Sequence, residues 1–180
     1  NDHILDMMTA TRNRIDVIHA LMAAIIQGVP VIVQGAPRDH RQRLALIKGL
    51  LALMPPPARF GVTFATHALP GTRIDAHLRF YSDDSPPTES LVYNWPGTHL
   101  SGKLVDDEYS DFMISQLRLD VGVVLRRTQA LTPVAQWRIR RGDKLAEALA
   151  YAAKRLALDE ALLINLPVET EDVSRVLAED

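Results

Sequence analysis

The chain contains no cysteine among its 180 residues. That excludes thiol catalysis, disulfide staples and thiolate metal ligands, and it fits a reducing compartment. No run of about 18 apolar residues occurs, so no membrane-spanning helix is expected. A basic region leading into an apolar core and a small-residue cleavage site is also missing, so no secretory signal is expected. Charge of one sign is not in excess: the net charge is −2, which offers no global attraction to nucleic acid. These absences together lead us to expect a soluble, cytoplasmic protein. Asn1 opens directly into a helical pattern, which leads us to expect a piece of a longer protein.

What is present is ordinary globular material, 47% apolar and 23% charged. A chain of this length buries roughly 70% of the surface exposed by its unfolded form, enough for a core without metals or cross-links. Charge is uneven along it. Residues 82–111 carry seven acidic side chains and one basic, whereas residues 118–144 carry seven basic and two acidic. The simplest reading is two solvated faces, with mutual attraction in the fold or in an oligomer as the alternative.

Residues 4–27 repeat apolar side chains at helical spacing, with Gly28 as a stop. Residues 29–34 are short and β-branched, which predicts a buried strand, and Gly35-Ala-Pro37 predicts a turn. Asp39 is placed to cap a helix whose stripe is Leu44, Ile47, Leu50, Leu51 and Met54. Pro55-Pro-Pro57 ends that helix, because proline lacks the amide donor and clashes with the preceding turn. Residues 60–66 predict a second strand, paired in parallel with the first through this crossover helix.

Residues 73–81 alternate, with Ile74, Ala76, Leu78 and Phe80 inward, and predict a strand antiparallel to its predecessor across the Leu69-Pro-Gly71 turn. Residues 90–95 predict a fourth or edge strand, and 96–101 read as irregular. From Asp106 onward the spacing is helical. Breaks are predicted near residues 120–122, at Thr132-Pro133, at Gly142-Asp143, at Asp159 and at Thr170. The expected fold class is therefore α/β: a small mixed β-sheet with a βαβ crossover, followed by a mostly helical C-terminal half. The expected division is an α/β sheet region at 1–105 and a helical region at 106–180.

The run Val31-Ile-Val-Gln-Gly35, the helix ending Leu50-Leu-Ala-Leu-Met-Pro-Pro56, then Arg59 and Val62-Thr-Phe-Ala-Thr66 resemble a domain of bacterial GTPase-associated proteins. The likeness covers residues 22–66. Met54 intervenes in a turn that is otherwise Leu-Pro-Pro-like. The resemblance implies a module of a multidomain signalling or defence assembly that works beside a GTPase. It carries no catalytic residues across.

No phosphate-binding glycine motif follows the first strand, and Pro37 removes an amide from the loop that would hold one. The six histidines include no i, i+4 pair. His67 and His77 would meet, perhaps with Asp75, only across a hairpin. Asp83-Asp84 and Asp106-Asp107-Glu108 fit solvated loops and a helix start better than a cation site. Arg126, Arg127, Arg138, Arg140 and Arg141 with Trp137 form the one basic and aromatic grouping, read as an amphipathic helix rather than a nucleic-acid grip. No cofactor and no metal are expected.

The expectation is thus a non-catalytic interaction or regulatory module with a protein partner or neighbouring domain. The alternative is a nucleotide- or phosphate-binding enzyme at the carboxyl ends of strands 29–34 and 60–66. Its residues would be Arg38, Asp39, Arg59, Thr66 and His67.

Overall fold

The computed structural model describes residues 2–66, 75–81, 88–164 and 166–179. The expected architecture is present: a mixed five-stranded sheet, with only helices from residue 108 onward among the described residues. The Asp83-Asp84 pair, the Leu69-Pro-Gly71 turn and His67 lie outside the described residues.

The chain opens with α1 (Asp2–Ala10) and α2 (Ile15–Ile26). One helix was expected here. The break is made by Arg12 and Asn13, which take left-handed backbone angles of φ 53° and 57°. Such angles cannot continue a right-handed helix. The buried Thr11 hydroxyl donates to the Met7 carbonyl, closing the end of α1.

Strand β1 (Val31–Gln34) follows, and Val31, Ile32 and Val33 are all fully buried. A strand covered on both faces needs no polar alternation, which explains its unbroken apolar run. The chain then forms α3 (His40–Ala52), the short α4 (Pro56–Arg59), β2 (Phe64–Ala65), β3 (Leu78–Tyr81), β4 (Leu91–Asn94) and β5 (His99–Gly102). The sheet order is β2-β3-β1-β4-β5.

Four expectations about the sheet need correction. The stretches 29–34 and 60–66 are not neighbours, because β3 lies between them and pairs in parallel with both. The second strand is also shorter than its apolar pattern implied. Pro55 and Pro56 start a helical turn instead of merely ending one, so Phe60 falls outside the sheet and is 90% exposed. Finally, β3 is parallel to β2, not antiparallel, although Ala76, Leu78 and Phe80 are buried as the alternation predicted. On the other side, β4 is a central strand parallel to β1, and β5 closes an antiparallel hairpin where irregular chain was expected.

The second half contains α5 (Glu108–Leu119), α6 (Val121–Arg140), α7 (Leu145–Leu163) and α8 (Thr170–Glu179). Asp120 caps α6 at the predicted break, accepting from the Gly122 amide at 2.7 Å. Two other predicted breaks are absent. Pro133 sits inside α6, and Asp159 sits inside α7. Asp143 caps nothing, because its carboxylate is paired with Arg138. One contiguous core runs from Ile4 and Met7 through the sheet to Leu149 and Ala153, so helices of both halves bury side chains together.

Candidate functional site

All four parallel strands point the same way, so Gln34, Thr66, Tyr81 and Asn94 mark the carboxyl end of the sheet. After β1 the chain turns toward the β3–β2 side. After β4 it turns to β5 on the other side. The point between β1 and β4 is where connections diverge, and crevices for ligands form there in open α/β sheets.

The chain fills part of this mouth with its own groups. Gly35 has φ +65°, and the Pro96 ring lies so close that a Cβ on Gly35 would come within 2.7 Å of Pro96 Cδ. The Asp39 carboxylate accepts a 2.9 Å hydrogen bond from the Arg41 amide, so the first turn of α3 already holds an anion. This is the expected cap, and it occupies the position a phosphate would take.

Arg43 organises the other side. Its Nε donates to the Pro37 carbonyl and its Nη1 to the Thr66 carbonyl, each at 2.7 Å. Its guanidinium also lies over the Phe80 ring, 5.6 Å from the centroid. One side chain therefore ties the β1–α3 loop to the end of β2 across β3. Sequence reasoning missed Arg43, since nothing in its spacing sets it apart from its helix neighbours Arg41 and Lys48.

The residues named for the alternative enzyme separate into two groups. Arg38, Asp39 and Thr66 share the carboxyl end, with Arg38 and Asp39 exposed. Arg59 lies at the opposite end, before β2, where its Nε donates to the Met54 carbonyl at 3.0 Å. Burial pulls the Arg59 guanidinium below its usual range. Arg59 therefore cannot share a site with the other residues.

The remaining candidates resolve as structure. His77 Nδ1 receives the Thr63 amide at 3.1 Å and contacts the Thr63 hydroxyl at 2.9 Å, so it pins the entry to β2. Accepting from an amide requires the lone pair at Nδ1, which puts the proton of the neutral ring on Nε2. Asp107 is buried. It caps α5 by accepting from the Ser110 amide at 2.8 Å, and it also receives the Gln27 side-chain amide at 2.9 Å. Asp106, Glu108, Asp111 and Glu147 surround it along an open groove of about 770 Å³. No group of three or more metal-ligating side chains is found among the described residues.

The guanidinium groups of Arg138 and Arg141 both lie over the Trp137 ring, 5.8 and 4.7 Å from its centroid. Arg138 also lies 4.3 Å from the Tyr151 ring, and Arg127 pairs with Glu160. The basic stretch thus draws on partners from its own helices, and those pairs lie outside the acidic stretch 82–111.

A further set of exposed apolar side chains lies on the last two helices. The end of α7 and the turn into α8 expose Leu162, Leu163, Ile164 and Leu166, and α8 exposes Leu177. Leu163 is 81% and Ile164 67% accessible. No helix of the described residues is long and apolar enough to cross a membrane.

No protein-family model matches the chain, and neither the curated proteins nor the solved structures give a match.

Proposed function

We propose that this chain is a non-catalytic interaction or regulatory module, cytoplasmic, serving a larger GTPase-associated protein. The observation that carries this reading is the apolar end of α7 and α8. Consecutive exposed leucine and isoleucine side chains of this kind mark contact surfaces rather than solvated ones. The mouth of the sheet supports it from the other direction. A fold that elsewhere serves nucleotide chemistry here places the Asp39 carboxylate on the α3 amides that would otherwise hold a phosphate. The GTPase context rests on the resemblance of residues 22–66.

The test is retention of a partner. Immobilised chain should retain a GTPase that a Leu163→Glu, Ile164→Lys variant with an unchanged circular dichroism spectrum fails to retain. Equal retention by the variant overturns the reading. Release of phosphate from GTP or ATP by the chain alone overturns it too, in favour of the enzyme alternative.

A further inference from the structure

The helices α1 and α3 pack tightly at Gly49, where a Cβ would come within 2.2 Å of Met7 Cβ. Toward the carboxyl end of the sheet a cleft of about 740 Å³ opens between the second half of α1 and the first half of α3. Gly35, Trp95 and Pro96 form part of its lining, so it sits over the ends of β1 and β4, at the point where the chain connections diverge. Its size falls within the roughly 300–1,000 Å³ range of small-molecule sites.

Two cations line this cleft from separate elements. Arg12 projects from the turn after α1, and Arg41 from the first turn of α3. Among the described residues neither guanidinium has an ion pair or a side-chain hydrogen bond. Arg12 is also held at φ 53°, a strained angle for a residue with a side chain, which fixes where its guanidinium starts. Asp6 lines the cleft as well, and it too has no partner among the described residues.

We propose that this cleft binds a small phosphate monoester, its phosphate held between Arg12 and Arg41. Each planar guanidinium can hold two oxygens of a tetrahedral anion, so two of them match a dianionic phosphate. Asp6 selects for the rest of the molecule. A carboxylate beside the cations weakens the hold on a bare anion, but it accepts from the hydroxyl or amine groups of an ester. Pro96, with the small accessible part of the otherwise buried Trp95, supplies the apolar side of the cleft. The ligand lies beside the capped start of α3 rather than on its amides, so the Asp39 cap stays in place. This binding goes beyond the module reading and does not depend on the α7–α8 surface.

The test uses the whole chain, without added metal, against inorganic phosphate, a pentose phosphate, AMP and GMP. Thermal shift screens binding and calorimetry measures it. At least one ester should bind, more tightly than inorganic phosphate and less tightly at high salt. Arg12→Gln and Arg41→Gln should each weaken it by about tenfold. Asp6→Asn should narrow the gap between ester and inorganic phosphate. The proposal is overturned if no probe binds at about 5 mM. It is also overturned if Arg12→Gln, Arg41→Gln protein binds as the parent does, or if a phosphoserine peptide binds while the free esters do not.

Discussion

The hydroxyl of Tyr109 donates a 2.8 Å hydrogen bond to the carbonyl of Leu53, joining the first turn of α5 to the end of α3. Both residues are fully buried. The bond satisfies a carbonyl at a helix end that would otherwise face apolar surroundings. Tyr109→Phe keeps the ring and removes the donor, so it should destabilise the fold by about 1–2 kcal/mol. Urea unfolding measures this. A variant as stable as the parent would show that this contact does not hold the two halves together.

The same residue contributes to the alkaline limit, as does the buried Tyr93, whose pKa burial also raises. Burial raises the Tyr109 pKa well above its ordinary value, with Arg59 opposing the shift. A raised pKa means that the folded state keeps a proton which the unfolded chain gives up. The stabilisation is complete below the tyrosine's unfolded pKa, near 10, and declines as pH rises above it toward the folded pKa. Unfolding should therefore begin above about pH 10 and coincide with the appearance of tyrosinate absorbance. Tyr109→Phe should move this alkaline limb to higher pH.

Gly49 lets α1 lie against α3. A Cβ there would meet Met7 Cβ at 2.2 Å and the His3 carbonyl oxygen at 2.8 Å. An alanine ordinarily improves a helix interior by about 1 kcal/mol over glycine. Here overpacking against backbone outweighs that gain, and Gly49→Ala should cost about 1–3 kcal/mol net. Thermal unfolding decides the sign; a stabilised variant would mean that α1 can move away without loss.

Local chemistry made much of the fold legible. The apolar run at 31–33, the Asp39 cap and the inward set Ala76, Leu78 and Phe80 each follow from a few adjacent residues, and each is found as expected. Strand neighbours were not legible. Parallel strands carry no turn to fix their pairing, and nothing local to 60–66 reveals that 78–81 will insert beside 31–34. Helix interruptions were over-read for a related reason. Pro133 and Asp159 are strong local signals, but the packing of α6 and α7 on their neighbours outweighs them. The site was the least legible part. Arg43, Arg12 and Arg41 look like any surface arginines until the helices bring them to the sheet's end.

Arg43 spans the Pro37 and Thr66 carbonyls with two separate nitrogens. Lysine carries the same charge on a single rotating head and cannot reproduce the fork. Arg43→Lys should leave one carbonyl without its partner and cost about 1–2 kcal/mol. Amide exchange should accelerate at Phe64 and Ala65, the two residues of β2. Unchanged exchange there would show that β3 alone holds β2 in place.

Pro133 lies in the thirteenth position of the twenty-residue helix α6 and faces solvent. It has no amide hydrogen, so the Gln129 carbonyl one turn earlier lacks its helical donor. Just beside it, the Thr132 hydroxyl donates to the Thr128 carbonyl at 2.8 Å, adding a side-chain bond to that turn. Pro133→Ala restores the missing donor and removes the ring clash. It should stabilise the protein by about 1–3 kcal/mol, read as a higher urea midpoint with an unchanged slope. The opposite outcome would also be informative about packing. Leu131 and Ala135 flank the proline and are both buried. A loss of stability would mean that the local backbone geometry set by Pro133 is what lets both reach the core.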